Sequence, residues 1–501
     1  MFQLNSYMAE RYLKWLGSNF IKKIPFIELL PIIFFVFAVL GNFTLLYIAL
    51  ILSYPALFWL HKAKEEKKKL VYTSRVKRLI ITVAIIFGLC FVYVQHEYLY
   101  LFANIWFLLS VLLFSQFTFI VVLLANIINL PVEKIIQNYY YRDARKMVRN
   151  SSNLKVIGVT GSYGKTSTKY FLRKILSEKY NVLMTPESYN TLMGVTVTIR
   201  KMLKPIHDIF IVEMGAKKPG DIKEICDLVK PSIGLLTSIG EQHQETFQNL
   251  HNVQRTKFEL IDSLPDSGYA FLNMDDHNIR SFDRPRGAKY VFFGLEAAGL
   301  NYWVEDIKVD SGGSSFSLVK DDGRKIQCQT KLLGKHNIYN ILAAASVAAE
   351  LGVDFEKIAY AIKRLEPIPH RLELRYRDNL TIIDDAFNAN PVGAKMALEV
   401  LDQISGTKKI IITPGIVELG AQDYEINYNL GIEISKVCDY IILVGPKRTK
   451  PIQDALIKAG CSQDKYFVAG NLTEAVSQMN KIAEKGSVIL FENDLPDNYN
   501  E

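Results

Sequence analysis

The sequence predicts an α-helical transmembrane N-terminal region followed by two α/β domains, a central one of P-loop type and a Rossmann-like one at the C-terminus. Three observations predict this. Long apolar runs crowd the first 130 residues. Short apolar strands then alternate with amphipathic helices through the rest of the chain, the pattern of doubly wound domains. Finally, "GVTGSYGKTSTKYF" (158–171) joins a strand to a helix through two glycines, a lysine and a threonine. A length of 501 residues accommodates three domains.

The N-terminal runs are justified first. Residues 27–60 carry one charge, whereas 79–94 and 98–130 carry none. A spanning helix needs about 20 apolar residues. Buried helices of a soluble core would show polar faces at helical period, and these runs do not. Their number and length exclude a secretory signal peptide. The loop "HKAKEEKKKLVYTSRVKR" (61–78) sets eight Lys/Arg against two Glu, which places it in the cytoplasm. The segment after residue 130 is also basic, with Lys134, Arg142, Arg145, Lys146 and Arg149. An even number of crossings must join these two flanks, and the two later runs supply them. The first run has a Gly41-Asn42 turn signal at its middle, so the region holds three or four spans. The expected location is the cell (cytoplasmic) membrane, multi-pass, with the two α/β domains facing the cytoplasm.

The net charge of +8 is largely carried by these membrane flanks, and no basic, aromatic-interleaved stretch points to nucleic acid. The five cysteines (Cys90, Cys226, Cys328, Cys438 and Cys461) form no C-x-x-C pair, which fits a reducing compartment and excludes a zinc ribbon. The expected organisation is 1–130 membrane helices, 131–150 a basic juxtamembrane linker, 151–366 a central domain and 367–501 a C-terminal domain. The prolines of "LEPIPHRLEL" (365–374) mark the last boundary.

"LKVIGVTG" leads into the loop, and "STKYFLRKILSEKY" follows as a helix. Backbone N–H groups and a helix N-terminus hold phosphate whatever the glycine spacing. Gly161 and Gly164 permit close approach, Lys165 can reach terminal phosphates, and Thr166 can ligate Mg²⁺. Glu213 ends the apolar strand in "FIVEMGA", where a second metal ligand belongs, although a solvated strand-end glutamate reads the same. His243 follows the next strand ("TSIGEQH") and alone reads as a surface histidine. Lys257 in "RTKFEL" alone reads as a solvated helix lysine.

The order T-G-S-Y-G-K-T-S, E-M-G-A, "TSIGEQH", "RTKFEL", "FLNMDD", "LLGKHNIYNILAAASVA", "PHRLEL" and "IDDAFNANP" resembles the Mur ligase family, most of all its MurF type, over residues 131–430 and more weakly to 501. The resemblance implies a P-loop ATPase-like central domain. It also implies an ATP-dependent acid–amino-acid ligase that passes through an acyl phosphate and produces ADP. ATP would be held by Thr160, Gly161, Ser162, Gly164, Lys165, Thr166, Ser167, Asn273, Asn337, Asn340, Arg371 and Asp385. Two Mg²⁺ ions would be held by Thr166, Glu213, His243 and a carbamate formed on Lys257. Lys165, Glu213, His243, Lys257 and Arg371 are the implied catalytic set. Arg371 matches an arginine that swings in from the C-terminal domain. Asn190, Asn388 and Asn390 would face the substrate, though Asn-Ala-Asn-Pro is also plain turn chemistry.

The sequence departs from the MurF pattern in several places. Membrane helices stand where a soluble uridine-binding domain is expected. Phe387 and Gly393 replace a tyrosine and a serine. "SVILFENDLPDNYNE" lacks the Lys-Gly-Ser-Arg type loop, and "TPGIVELGAQDYEINYN" has no histidine. The resemblance therefore implies ligation of an amino acid or dipeptide to a cell-wall precursor peptide, nucleotide- or lipid-linked. A poly-γ-glutamate-type or pseudomurein-type ligase is an alternative. An ATP-binding membrane regulator without ligase activity is another, disfavoured by the complete metal set. A transporter would need polar groups in its spans, where only Asn42, Asn104, Gln116 and Asn126 qualify.

Overall fold

The computed structural model describes residues 3, 7–14, 17, 71–97, 118–187, 189–240, 247, 249–284, 287–310, 313–386, 390–417, 419 and 422–493. The chain divides into two compact units between Tyr139 and Tyr140. In the first, α1 (Ser74–Glu97) contains the apolar run 79–94. Helix α2 (Thr118–Asn150) contains the end of the next run and continues into the basic segment 131–150, with Pro131 inside it. The expected linker is thus helical. The run at 27–60 and residues 98–117 lie outside the described residues.

Helices α1 and α2 turn polar groups towards each other. Arg78 donates from Nε and Nη2 to Glu133 Oε1 and Oε2 at 2.7 and 2.9 Å, and Thr82 Oγ1 donates to Asn129 Oδ1 at 3.1 Å. Glu133 and Asn126 are buried, whereas Ile81, Ile85, Leu89, Leu124, Ile127 and Ile128 are exposed. Val76, Val121 and Ala125 of the same helices are buried. Among the described residues α2 is the one helix long and apolar enough to cross a membrane by length and composition.

The second unit carries two sheets. The first is assembled from β1 (Lys155–Thr160), α3 (Lys165–Leu176), β2 (Val182–Met184), α4 (Leu192–Met202), β3 (Ile209–Glu213), α5 (Asp221–Val229), β4 (Ile233–Leu236), α6 (Leu250–Asp262), β5 (Tyr269–Asn273), α7 (His277–Arg280) and β6 (Lys289–Gly294). There follow β7 (Tyr302–Asp310), β8 (Gly313–Lys320), β9 (Lys325–Thr330), α8 (Lys335–Glu350) and α9 (Phe355–Lys363). The strand order is β2-β3-β1-β4-β5-β6-β7-β8-β9, parallel as far as β7 and antiparallel beyond it. Alternation along β1 sends Ile157 and Val159 to a core shared with α3 and α8. Val156 points to the opposite core with α4, α5 and α6. Strands covered on both faces read as continuous apolar runs, as this sequence does.

The second sheet is built from β10 (Glu373–Arg377), β11 (Leu380–Asp385), α10 (Pro391–Gln403), β12 (Lys409–Thr413), α11 (Asp423–Val437), β13 (Tyr440–Val444), α12 (Lys450–Lys458), β14 (Tyr466–Ala469), α13 (Leu472–Ile482) and β15 (Val488–Glu492). Its order is β10-β11-β15-β12-β13-β14, parallel except for the β10–β11 pair. Pro367 and Pro369 lie between α9 and β10.

Candidate active site

The loop between β1 and α3 is shaped by two glycines. Gly161 has φ 151° and Gly164 φ 77°, a region that costs any other residue strain. A Cβ at Gly161 would run into Thr237 Oγ1, and one at Gly164 into Asn340 Oδ1. The loop after β4 laces onto this one. Ser162 N–H donates to Ser238 O at 2.7 Å, Tyr163 N–H to Ser238 Oγ at 2.9 Å, and Thr237 Oγ1 to Tyr163 O at 2.6 Å. Helix α3 starts at Gly164 with no side-chain cap, so its first-turn amides face the loop. Such amides attract phosphate.

Lys165 Nζ donates to Gly161 O at 2.7 Å and to Ser162 O at 3.0 Å, which folds the lysine over the loop. Burial lowers its pKa to about 8 against the opposing pull of Glu213. Glu213 is brought here by register, since Val159 of β1 pairs with it across the parallel ladder. Thr166 Oγ1 and Asn190 Nδ2 both donate to Glu213 Oε1 at 3.2 Å. Lys169 Nζ lies 2.9 Å from Glu213 Oε2, with both side chains excluded from water, and also donates to Glu187 O at 2.6 Å. Burial pushes the Glu213 carboxyl up, but Lys169, Lys165 and the Asn190 amide outweigh it and hold it below the ordinary carboxylate range.

Lys257 is buried on α6 at 3% exposure. Desolvation, reinforced by the Lys165 charge, lowers its amine well below the usual lysine value. Arg371 follows the boundary between the two α/β layers. Burial lowers its pKa, while Glu213 and Asp385 oppose that shift, so the guanidinium stands in the field of both layers. Its charge is also felt by Lys165 and Lys169. Asp385, at the end of β11, accepts from Leu372 N–H at 3.1 Å.

The structure brings together Gly161, Ser162, Gly164, Lys165, Thr166, Glu213 and Arg371 of the expected set. Thr160 Oγ1 donates to Met214 O and ties β1 to the end of β3, while Ser167 lies in the first turn of α3. Asn340 Oδ1 accepts from Thr168 Oγ1 at 3.1 Å, beside Gly164. Asn337 Nδ2 is bonded to Leu333 O, and Asn273 Nδ2 to Thr237 O. Asn190, expected to face substrate, is bonded to Glu213. Asn390 caps α10, its Oδ1 accepting from Gly393 N–H at 2.9 Å, as plain turn chemistry would have it. His243 and Asn388 lie outside the described residues. Lys169 went unnoticed in the sequence, although its place one helical turn after Lys165 puts both on one face of α3.

Thr166 and Glu213 offer hard oxygen atoms on neighbouring elements, the donor type that Mg²⁺ takes. Among the described residues no group of three or more His, Cys, Asp and Glu side chains forms a cluster of metal-ligand type. Thr166 and Glu213 are the residues beside the loop that could hold such an ion.

A family model described as Mur ligase middle domain matches residues 159–348, and one described as Mur ligase, glutamate ligase domain matches 370–492. The UDP-N-acetylmuramoyl-tripeptide–D-alanyl-D-alanine ligase of Escherichia coli is 31% identical over 302 residues, 60% of this chain and 66% of that protein. The protein of the same description from Buchnera aphidicola subsp. Baizongia pistaciae is 30% identical over 313 residues, 60% of this chain and 67% of its own length. The match thus spans less than two thirds of the Escherichia coli relative. The crystal structure of MurF ligase from Thermotoga maritima in complex with ADP superposes with a TM-score of 0.63 at 26% identity, covering 72% of this chain and 80% of that one.

Proposed function

The chain belongs to the Mur ligase family, and from that premise we propose that it is a membrane-anchored, MurF-like, ATP-dependent amide ligase that extends a cell-wall precursor peptide. The observation that carries this reading is the convergence on Glu213. Its carboxylate is bonded to Thr166 of the phosphate loop and stands in the field of Arg371 from the following α/β layer.

In the proposed reaction a carboxylate oxygen of the precursor attacks the γ-phosphorus of ATP and ADP leaves. The incoming amine then attacks the acyl carbon, loses a proton and displaces phosphate. Two anions must meet in the first step, so the protein's task is charge neutralisation and positioning. Lys165 and the first-turn amides of α3 bind the phosphates. Thr166 and Glu213 would hold one Mg²⁺, and His243 with a carbamate on Lys257 would help hold a second. Mg²⁺ held by these residues would supply positive charge that offsets the repulsion of the two anions. Lys257 suits its part because an amine lowered by burial is readily neutral, the form that combines with CO₂. Arg371 adds a cation from the second layer. Full-length protein given ATP, a UDP-N-acetylmuramoyl tripeptide and D-alanyl-D-alanine should release ADP and phosphate in step with ligation. Pyrophosphate among the products would sink the mechanism.

The membrane part of the proposal is supported by α1 and α2, whose polar groups face each other while apolar side chains point outward. Helices in hydrocarbon are arranged this way. An anchored ligase gains a high effective concentration of a lipid-linked substrate, which is why we assign the precursor to the membrane surface and the α/β layers to the cytoplasmic side. The assay compares the full chain with residues 131–501 on nucleotide-linked and lipid-linked peptides. Equal use of both by the full chain, with full activity of the shortened one on the nucleotide-linked peptide, would end the lipid-linked reading.

A further inference from the structure

We propose that Lys169 is a positioning residue that makes the nucleotide site selective for Mg²⁺ over larger divalent cations such as Ca²⁺, by keeping one oxygen of Glu213 away from the metal. The inference rests on the reading of Thr166 and Glu213 as metal-holding residues, and adds to it the residue that decides which metal they accept.

The two oxygens of Glu213 have different surroundings. Oε1 accepts from Thr166 Oγ1 of the phosphate loop and from Asn190 Nδ2, each at 3.2 Å. Neighbouring oxygens around an octahedral Mg²⁺, each about 2.1 Å from the ion, stand about 3 Å apart. Thr166 Oγ1 and Glu213 Oε1 are therefore already spaced as two such ligands. Oε2 instead faces Lys169, with Nζ at 2.9 Å. This contact is an ion pair and not a directed hydrogen bond, since the buried Oε2 has no hydrogen-bond partner among the described residues. Its lone pairs are thus not used up by a donor. What keeps a second cation from them is the positive charge of the lysine.

Lys169 is held in this place. Its side chain is 0% exposed, and Nζ donates to Glu187 O at 2.6 Å, on the loop between β2 and α4. Glu187 has φ 40°, a left-handed conformation uncommon for a residue with a side chain. The ammonium cannot leave Oε2 without also giving up that carbonyl where water does not reach, and an unsatisfied buried group is costly. Cation size then decides what the site accepts. Ca²⁺ takes about six to eight oxygens in a flexible shell and accepts both oxygens of one carboxylate, whereas Mg²⁺ demands near-octahedral geometry, which such a narrow chelate distorts. With Oε2 committed to Lys169, Glu213 offers one oxygen beside Thr166. That suits Mg²⁺ and leaves Ca²⁺ short of a ligand. Groups that bond to a metal-binding carboxylate commonly change metal affinity by about 10–100-fold.

The test measures ADP binding to the full-length protein by equilibrium dialysis in Mg²⁺ or in Ca²⁺, so that no turnover is needed. The wild-type protein should bind ADP about tenfold or more tightly with Mg²⁺ than with Ca²⁺, beyond any difference in how the two ions bind free ADP. Lys169→Met and Lys169→Gln both remove the charge, and Gln keeps a donor for Glu187 O. In each the preference should shrink to about threefold or less, and melting curves confirm that the variants measured are folded. A wild-type protein that does not discriminate between the two ions overturns the proposal. So do variants that lose ADP affinity equally in both ions, the result expected of a lysine that only supports the fold. If no precursor is ligated but the preference moves with Lys169, the ligase reading fails and the selectivity stands. Ligation of a precursor, with a preference that ignores Lys169, gives the converse.

Discussion

Replacing Lys169 with methionine isolates the electrostatics of the metal-side carboxylate. Lys169 and Glu213 face each other at 2.9 Å with side-chain exposures of 0% and 2%, so water screens neither. Methionine keeps most of the lysine's volume and removes its charge, leaving Glu213 with only the Thr166 and Asn190 donors on Oε1. Breaking one side of a buried ion pair costs about 3–5 kcal/mol, a large share of the roughly 5–15 kcal/mol that holds a domain folded. Loss of the Lys169 bond to Glu187 O adds to it. The diagnostic variant is Lys169→Met with Glu213→Gln, because with both charges gone the penalty for a lone buried ion disappears. Urea unfolding of the full chain, compared at the transition of the central layer, should show each single variant destabilised. The double variant should be less destabilised than the sum of the two by about 2 kcal/mol or more. Strict additivity, or a Lys169→Met cost below about 1 kcal/mol, would refute the reading of Lys169 and Glu213 as a mutually stabilising buried ion pair.

Three further outcomes follow. Arg371→Ala should lower kcat far more than it raises the KM for ATP, since the guanidinium acts between the two layers; steady-state kinetics showing equal losses would contradict this. Lys257→Ala should lose most activity and recover part of it with added short carboxylates, and wild-type activity should fall as pH drops and the amine protonates, with bicarbonate restoring some of it. Turnover of Lys257→Ala near the wild-type rate removes the carbamate. The Asp385–Glu492 pair has folded-state pKa values above the unfolded ones, so its stabilising contribution is present below about pH 4 and lost as pH rises through about 6. A rise from 3.8 to about 6 at Asp385 corresponds to about 3 kcal/mol as an upper bound. Glu492→Gln should therefore raise the melting temperature at pH 7.5 and lose that advantage towards pH 4.5; an advantage independent of pH counts against the pair.

The layered α/β fold was legible because strands covered on both faces must be apolar throughout, and because glycine has to stand where the phosphate loop turns through positive φ. Residues 302–330 were not read as strands. Their polar and apolar residues alternate as an antiparallel extension requires, but charged turns such as "KDDGRK" hide the pattern. The basic segment 131–150 looked like a separate linker, since its composition changes at Pro131. A helix needs no constant composition to continue, and α2 runs through the proline.

The site divides along the same physical line. Lys165 and Thr166 announce themselves because they follow the loop glycines into a helix, whereas Glu213 reads equally as a solvated strand-end residue until the β1–β3 register sets it beside the loop. Lys169 and Glu492 do not announce themselves, because their meaning lies in a partner far away in the chain. Lys169 is an unremarked helix lysine until β3 sets Glu213 against it. Glu492 is a terminal strand residue until β15 inserts between β11 and β12 and aligns it with Asp385. A strand far along the chain thus decides which side chain stands beside Asp385.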